Sequence, residues 1–185
     1  MSVIKHKFII LFLFIFTSFA FAEISQNKQL NKLFNKLSKS QNFNTANLVE
    51  QEIWAVWLKH PKNINLTDKL KLGIELMNHG DYKYALKIFT NIIKTDPSWS
   101  EAWNKRATLL FFMKEYQRSL DDINKVLAIE PRHFGALSGR AQIFIELEEY
   151  QKAIKDLKKA KKIHPIIVSN NLIITLEKLV KGLSI

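Results

Sequence analysis

SEAWNKRATLLFFMKEYQRSLDDINKVLAIEPRH, residues 100–133, is the stretch on which the reading of the whole chain turns. It closes on Glu130-Pro131. Asp96-Pro97 lies 34 residues earlier and His164-Pro165 34 residues later. Other positions keep the same step: Tyr82, Tyr116 and Tyr150; the small residues Gly73, Ala107 and Ala141; then Ala85, Ser119 and Ala153. The apolar sets Phe89, Ile123, Leu157 and Ile92, Val126, Ala160 follow the same register. A period of this length, carried by many positions at once, marks a solenoid in which one supersecondary unit stacks on copies of itself.

Each unit reads as a pair of helices. Ser98-Trp99-Ser100-Glu101 has the spacing of a capping box and predicts a helix start. Trp103, Ala107, Leu110 and Phe111 then recur on one helical face. A turn near Lys114-Glu115 leads to a second helix, predicted from Tyr116 to Ile129 and stopped by Pro131, which disfavours helical geometry in the residue before it. The small residues belong where two helices cross closely. Gly80-Asp81 supplies turn chemistry in the first unit. Thr67 is placed to cap that unit's first helix, which is the preferred reading of Asn65-Leu66-Thr67 over a glycosylation acceptor.

The period, the small-residue pairs, the tyrosine and the closing proline resemble the tetratricopeptide-repeat (TPR) pattern, with Gly73, Tyr82, Ala85, Phe89 and Pro97 fitting it well. The second copy departs at Ser119 and the third at Leu137, where the second has Trp103. The resemblance implies an all-α fold, a right-handed superhelix of antiparallel helix pairs, with repeats at 66–99, 100–133 and 134–167. Upstream, Leu30, Leu33, Phe34 and Leu37 form one stripe, and Leu48, Val49, Ile53, Val56 and Trp57 another. Residues 23–65 thus read as a degenerate further repeat, although Pro61 lies 36 residues before Pro97 and the register slips by two. Residues 168–185 read as a capping helix, begun by Ser169, with Leu172, Leu176, Leu179 and Leu183 facing inward. Glu130 to Gly139 and Glu52 to Leu58 look more narrowly like small exported TPR proteins of Gram-negative bacteria.

The chain has 185 residues, which is room for one domain, and no cysteine, which excludes disulfides, thiolate metal sites and a cysteine nucleophile. Lys5, His6 and Lys7 precede an apolar run from Phe8 to Phe16, and Ala20-Phe21-Ala22 follows. This is the layout of a signal peptide, residues 1–22, cleaved after Ala22, and it implies export to the periplasm. Phe8 to Ala22 is 15 residues, short of the roughly 20 that span a bilayer as a helix, so a membrane anchor is the lesser reading. Loss of Lys5 and Lys7 lowers the net charge from +11 to +9. Anionic lipids, envelope polymers and acidic proteins, more than nucleic acid, are the counter-charges expected of an exported basic protein, and the other reading is a scattered positive surface that serves solubility only.

No phosphate loop, zinc motif or nucleophile elbow is present, so neither enzyme activity nor a cofactor or metal is expected. His60, His79, His133 and His164 fall at helix ends and read as solvated turn residues. Asp121-Asp122 and Glu148-Glu149 read as solvated faces, because adjacent helical residues diverge. The TPR resemblance implies a concave groove lined by the first helices. It would present Thr67, Leu70, Ile74 and Met77; Glu101, Asn104, Thr108 and Phe111; then Gly135, Ser138, Gln142 and Ile145. The family's clamp for a C-terminal carboxylate needs Lys, Arg and Asn, of which this set has only Asn104, so an apolar strip of Met77, Phe111 and Ile145 is expected instead. Lys152, Lys155, Lys158, Lys159, Lys161 and Lys162 form a basic outer face with Asp156 as the acid on the same helix. The functional expectation is a scaffold that holds a protein or peptide partner. The other reading is a structural envelope protein that self-associates or makes peripheral contact with an anionic membrane.

Overall fold

The computed structural model describes residues 25–40, 42–167 and 169–182. The chain forms α1 over residues 25–38, then α2 (Phe43–Trp57), α3 (Ile64–Asn78), α4 (Tyr82–Thr95), α5 (Ser100–Phe112), α6 (Tyr116–Ile129), α7 (Phe134–Glu146), α8 (Tyr150–Ile163) and α9 (Asn170–Val180). No strand occurs among the described residues. The helices α3/α4, α5/α6 and α7/α8 are the three repeats, and α9 packs on α8. Among first helices, α3 touches α5 and α5 touches α7, whereas α4, α6 and α8 show no comparable pairing with one another. The first helices therefore converge on the inner, concave side and the second helices splay outward.

The crossing inside each pair explains the small residues. A Cβ on Gly73 would lie 2.5 Å from Cε1 of Phe89, which is wholly buried. Ala107 and Ala141 fill the same place against Ile123 and Leu157. The Ser119 hydroxyl is no defect in this core, because it donates to the Ala107 carbonyl at 2.7 Å.

The turns within the pairs also repeat. Gly80 has φ 85°, and the residues one and two periods later, Lys114 and Glu148, both have φ 58°. Each turn closes the preceding helix with the same two bonds. In the second repeat these are Glu115 N–H to Leu110 C=O and Lys114 N–H to Phe111 C=O, both 2.9 Å, which is the Schellman pattern. The left-handed position suits glycine, and only the first copy has one.

Several boundaries differ from the sequence reading. The helix α3 has 15 residues where α5 and α7 have 13, and this extra half-turn absorbs the two-residue slip at Pro61. Its N-cap is Asn63, whose side chain accepts from the Asn65 and Leu66 N–H groups. Thr67 lies buried inside the helix, with Oγ1 accepting from the His60 N–H at 2.9 Å. No capping box forms at α5. Ser98 instead closes an Asx turn on Asp96, with N–H to Oδ1 at 2.9 Å, and Glu101 points inward. Ser169 does cap α9, but the face turned inward is Ile173 and Leu176, with Leu179 packed at its edge. Leu172 is 40% exposed, and Leu183 lies outside the described residues.

The largest difference concerns α1 and α2. A preceding repeat would stack on α3, but the core formed by Leu30, Leu33, Phe34, Leu37, Val49, Ile53, Val56 and Trp57 packs against Phe134, Ile163, Ile166 and Ile167. The hairpin thus lies lengthwise across the turns that link the repeats. Leu48, expected on its inner stripe, is 61% exposed. Ion pairs tie the outer layers. Arg106 forks onto Asp122 at 2.7 and 2.8 Å and also reaches Thr90. Arg140 forks onto Asp156 at 2.6 and 2.9 Å and reaches Asn124. These two clusters are copies at the 34-residue period, so Asp122 is a buried structural acid and not part of a solvated face.

The left-handed turns generate a prediction. Because αL geometry costs a non-glycine residue about 1–2 kcal/mol and the larger chain entropy that glycine loses on folding offsets part of that relief, Lys114→Gly and Glu148→Gly should each stabilise by about 0.5–1 kcal/mol in urea denaturation. Destabilisation by either would show that these side chains hold the turn in a way the backbone does not require.

Candidate binding groove

The inner face is divided by the N-terminal hairpin into a covered part and an open part. In the covered part, Trp57 of α2 stacks on the His133 ring, with centroids 4.0 Å apart and planes 5° from parallel. His133 is the N-cap of α7: its Nδ1 accepts from the Ala136 N–H at 3.0 Å, so Nε2 carries the proton it shares with Glu101 at 3.0 Å. Glu101 also faces Lys105 Nζ at 3.0 Å and Asn104 Nδ2 at 3.2 Å. Trp54 closes the set, edge-on to His133 and Phe134, with the Lys105 ammonium 5.3 Å from the centre of its ring.

Two similar contacts flank this one. His60 Nδ1 accepts from the Lys62 and Asn63 N–H groups, and Nε2 bonds Asp96 at 2.8 Å, while Trp99 donates to the Trp57 carbonyl at 3.0 Å. His164 Nε2 bonds Glu50 of α2 at 3.0 Å. Arg132, forked onto Glu130, reaches Asn31 of α1 at 2.6 Å and covers the Phe34 ring at 4.4 Å. His60, His133 and His164 are thus buried partners of single carboxylates, and the solvated reading holds only for His79. Among the described residues no group of three or more His, Asp or Glu is arranged to hold a metal ion.

The open part is a cavity of about 240 Å³ between α5 and α7, where Asn104, Thr108, Phe111, Phe112, Gly135, Gly139 and Gln142 line it together with Ser119 and Ile123 of α6. Gly135 also faces the hairpin, since a Cβ there would meet Trp54 at 2.6 Å. Nothing lies within 4 Å of a Cβ built on Gly139, so its missing side chain simply opens the wall. Of the residues expected in the groove, Asn104, Thr108, Phe111, Gly135 and Gln142 meet there. Thr67, Leu70, Met77 and Glu101 do not, because all four are buried in the interior. Ile74 and Ile145 are partly buried against the cores of the first and third repeats, and Ser138 is half-buried beside the cavity without lining it. The expected strip of Met77, Phe111 and Ile145 is therefore reduced to Phe111. Asn104 is 7% exposed and bonded to Glu101, so it presents little to a ligand.

On the outer face, Lys155, Lys159 and Lys162 are exposed, Lys152 pairs with Glu149, and Lys158 pairs with Glu177 at 2.6 Å. Asp156 does not offset them, being buried on Arg140. The 34-residue register also relates Arg106 to Arg140 and Asp122 to Asp156, so the sequence does carry a signal for these pairs. Gly139 and Phe112 had no such signal, because neither is repeated.

Residues 135–166 match the family model described as Tetratricopeptide repeat. A TPR repeat-containing protein of Rhizobium etli is 34% identical over 103 residues, which are 55% of this chain and 50% of the relative. The chain thus spans about half the length of the curated relative it matches. Among solved structures, the first TPR of Spaghetti (RPAP3) superposes with a TM-score of 0.59 at 20% identity, covering 63% of this chain and 93% of its own. The TPR2B domain of yeast Sti1 gives 0.57 at 22% identity, with 65% and 98% covered. These likenesses support the tetratricopeptide-repeat family, and the fold is an all-α TPR superhelix.

Glu101 gives the covered part a pH signature. Burial pushes its carboxyl up, but the His133 hydrogen bond and the Lys105 charge more than offset this and hold it below its ordinary value of 4.5. Asp96 is also held low: burial raises it, and the Ser98 and His60 hydrogen bonds outweigh that. A depressed carboxyl contributes stability that is present above its unfolded value and is lost as pH falls through the folded one. The urea midpoint should therefore be steady near neutral pH and fall steeply below about pH 4. Glu101→Gln should cost about 1–3 kcal/mol at pH 7 and flatten that acid limb. An unchanged acid limb in the variant would place the titrating group elsewhere.

Proposed function

We propose that this chain is a non-catalytic scaffold of the bacterial periplasm that holds a peptide or helix of a partner protein in the open part of its concave groove. The observation that carries the reading is the cavity between α5 and α7. It is almost wholly apolar, faces the inner side, and is walled by glycine where an inward side chain would fill it. A helix-interior glycine costs about 1 kcal/mol relative to alanine. At Gly139 no internal contact requires that cost, so space for an external group is what it provides.

Proteins of the same fold support a peptide or protein ligand. The Spaghetti domain is bound to the HSP90 peptide SRMEEVD, and the Sti1 domain is in a pHsp70 complex. An acidic tail of that kind is not what this groove suits. Lys105 and Asn104 are both committed to Glu101, which puts a carboxylate of the chain itself where an incoming one would need cations. An apolar anchor side chain, seated against Phe111 and Gly139, fits the chemistry better. The signal-like residues 1–22, which lie outside the described residues, support export, and no described helix is long and apolar enough to cross a membrane. Spending its buried acids on ion pairs and histidine caps supports a binding role over a catalytic one.

Gly139→Trp tests this directly. The substitution has room at Cβ and improves helix propensity, so stability should hold within about 1 kcal/mol. Crosslinking of tagged protein in intact cells, with mass spectrometry of the captured species, should yield a partner that the variant loses. Capture of the same partner by a folded Gly139→Trp chain would remove the groove from consideration.

A further inference from the structure

Positive charge is dense on the outer helices α4 and α8, whereas α6 between them balances Arg118 and Lys125 against Asp121 and Asp122. The outer helix α4 carries Lys83, Lys87 and Lys94 and no acid. The outer helix α8 carries Lys152, Lys155, Lys158, Lys159, Lys161 and Lys162 with a single acid, Asp156, which is buried on Arg140. The inner helix α3 balances Lys69 and Lys71 against Asp68 and Glu75, and α7 balances Arg140 against Glu146. All four arginines pair with acids of the chain, Asp122, Glu115, Glu130 and Asp156, the Arg118–Glu115 pair lying exposed at the surface.

What remains on the outside is lysine at one helical face. Lys155, Lys159 and Lys162 follow the i, i+4, i+7 spacing, are exposed, and pair with no acid among the described residues. The repeat register extends the stripe sideways: Lys125 of α6 precedes Lys159 by one period, and Lys87 and Lys94 of α4 precede Lys155 and Lys162 by two, with exposed Asp121 as the one acid in this register on α6. Tyr84, 64% exposed, stands one turn from Lys87 on the same face of α4.

We propose that this convex face, formed by α4, α6 and α8, docks on an anionic lipid bilayer. Point-like ammonium groups on a convex surface meet a charged sheet tangentially, each attracted without needing a shaped pocket. A tyrosine among them suits the headgroup level, where an amphipathic ring is stable. Nucleic acid is the less suited polyanion, because its recognition relies on arginine forks and stacking platforms, and here the arginines are occupied. The concave groove opens on the opposite side, so a docked molecule would keep its groove free for a soluble partner. This inference stands apart from the groove reading and can fail without it.

The test uses the chain from Glu23 onward, which keeps every described helix, in sedimentation with phosphatidylcholine vesicles with and without phosphatidylserine. Retention should require phosphatidylserine and vanish at high salt. Each lysine near the surface contributes about fivefold, so Lys155→Gln, Lys159→Gln and Lys162→Gln together should lower binding about a hundredfold. An equal charge change at Lys28, Lys32 and Lys69, exposed on α1 and α3, should cost less than about tenfold, because charges more than a Debye length from the lipid are screened. Gly139→Trp should bind vesicles like the parent chain. Equal losses in the two triple variants, or equal retention on neutral vesicles, would overturn the proposal. So would tighter capture by single-stranded RNA or polyglutamate than by phosphatidylserine vesicles.

Discussion

Trp57 lies flat on His133, and how much of the inner face is left for anything else depends on that stack. The histidine ring is held from two sides before the tryptophan arrives: Nδ1 accepts from the Ala136 N–H and the Nε2–H donates to the Glu101 carboxylate. A ring fixed in this way is a flat, fully buried platform, and α2 is positioned by it. Around the platform, Trp54, Phe34 and Phe134 add edge contacts, and each large apolar side chain buried there is worth about 1.5–3 kcal/mol. The hairpin is therefore part of the core and not an appendage that happens to rest on the repeats. Its docking also explains why Glu101, a concave-face position in the bare repeat, has no exposure.

The same contact shows where reading the sequence succeeds and where it stops. The period was legible because helix crossing imposes one residue type at one place in every copy, as with Gly73, Ala107 and Ala141. From that, the helix pairs, their turns and the α6 boundaries follow with little else needed. The hairpin obeys no such rule. Leu30, Leu33, Phe34 and Leu37 announce an amphipathic helix, but an apolar stripe does not say which surface it meets. The repeat register points to α3, and the actual partners are Phe134, Ile163, Ile166 and Ile167. The burial of His60, His133 and His164 is hidden from the sequence for a related reason. Each sits in a turn, where solvent is the usual neighbour, and only the long-range arrival of α2 or of a following turn buries them.

Register did carry information about charge that residue type alone concealed. Arg106 and Arg140 each brace their own second helix through Asp122 or Asp156 and the preceding repeat through Thr90 or Asn124. The first repeat has Leu72 and Ile88 at the corresponding places, and no preceding second helix to reach. Leu72 is accordingly 48% exposed, an apolar residue at the open end of the stack. The ion pair is thus a joint between neighbours and disappears where there is no neighbour. Breaking one partner of such a buried pair is costly, so the joint also fixes the angle at which successive repeats meet.

Those joints have a consequence for the outer surface. Asp156 sits among six lysines in the sequence and looks like their counter-ion, yet Arg140 holds it from the other side of the helix. Because the fork removes both carboxylate oxygens from the outside, α8 is left with a face that nothing in its own helix neutralises. The structural need of the repeat junction thus sets the electrostatics of the convex side, just as the need to seat Trp57 sets the extent of the concave one. In both cases an acid that would otherwise face outward is taken first by the fold, Asp156 by Arg140 and Glu101 by His133, and the surfaces left open are the ones the fold does not use.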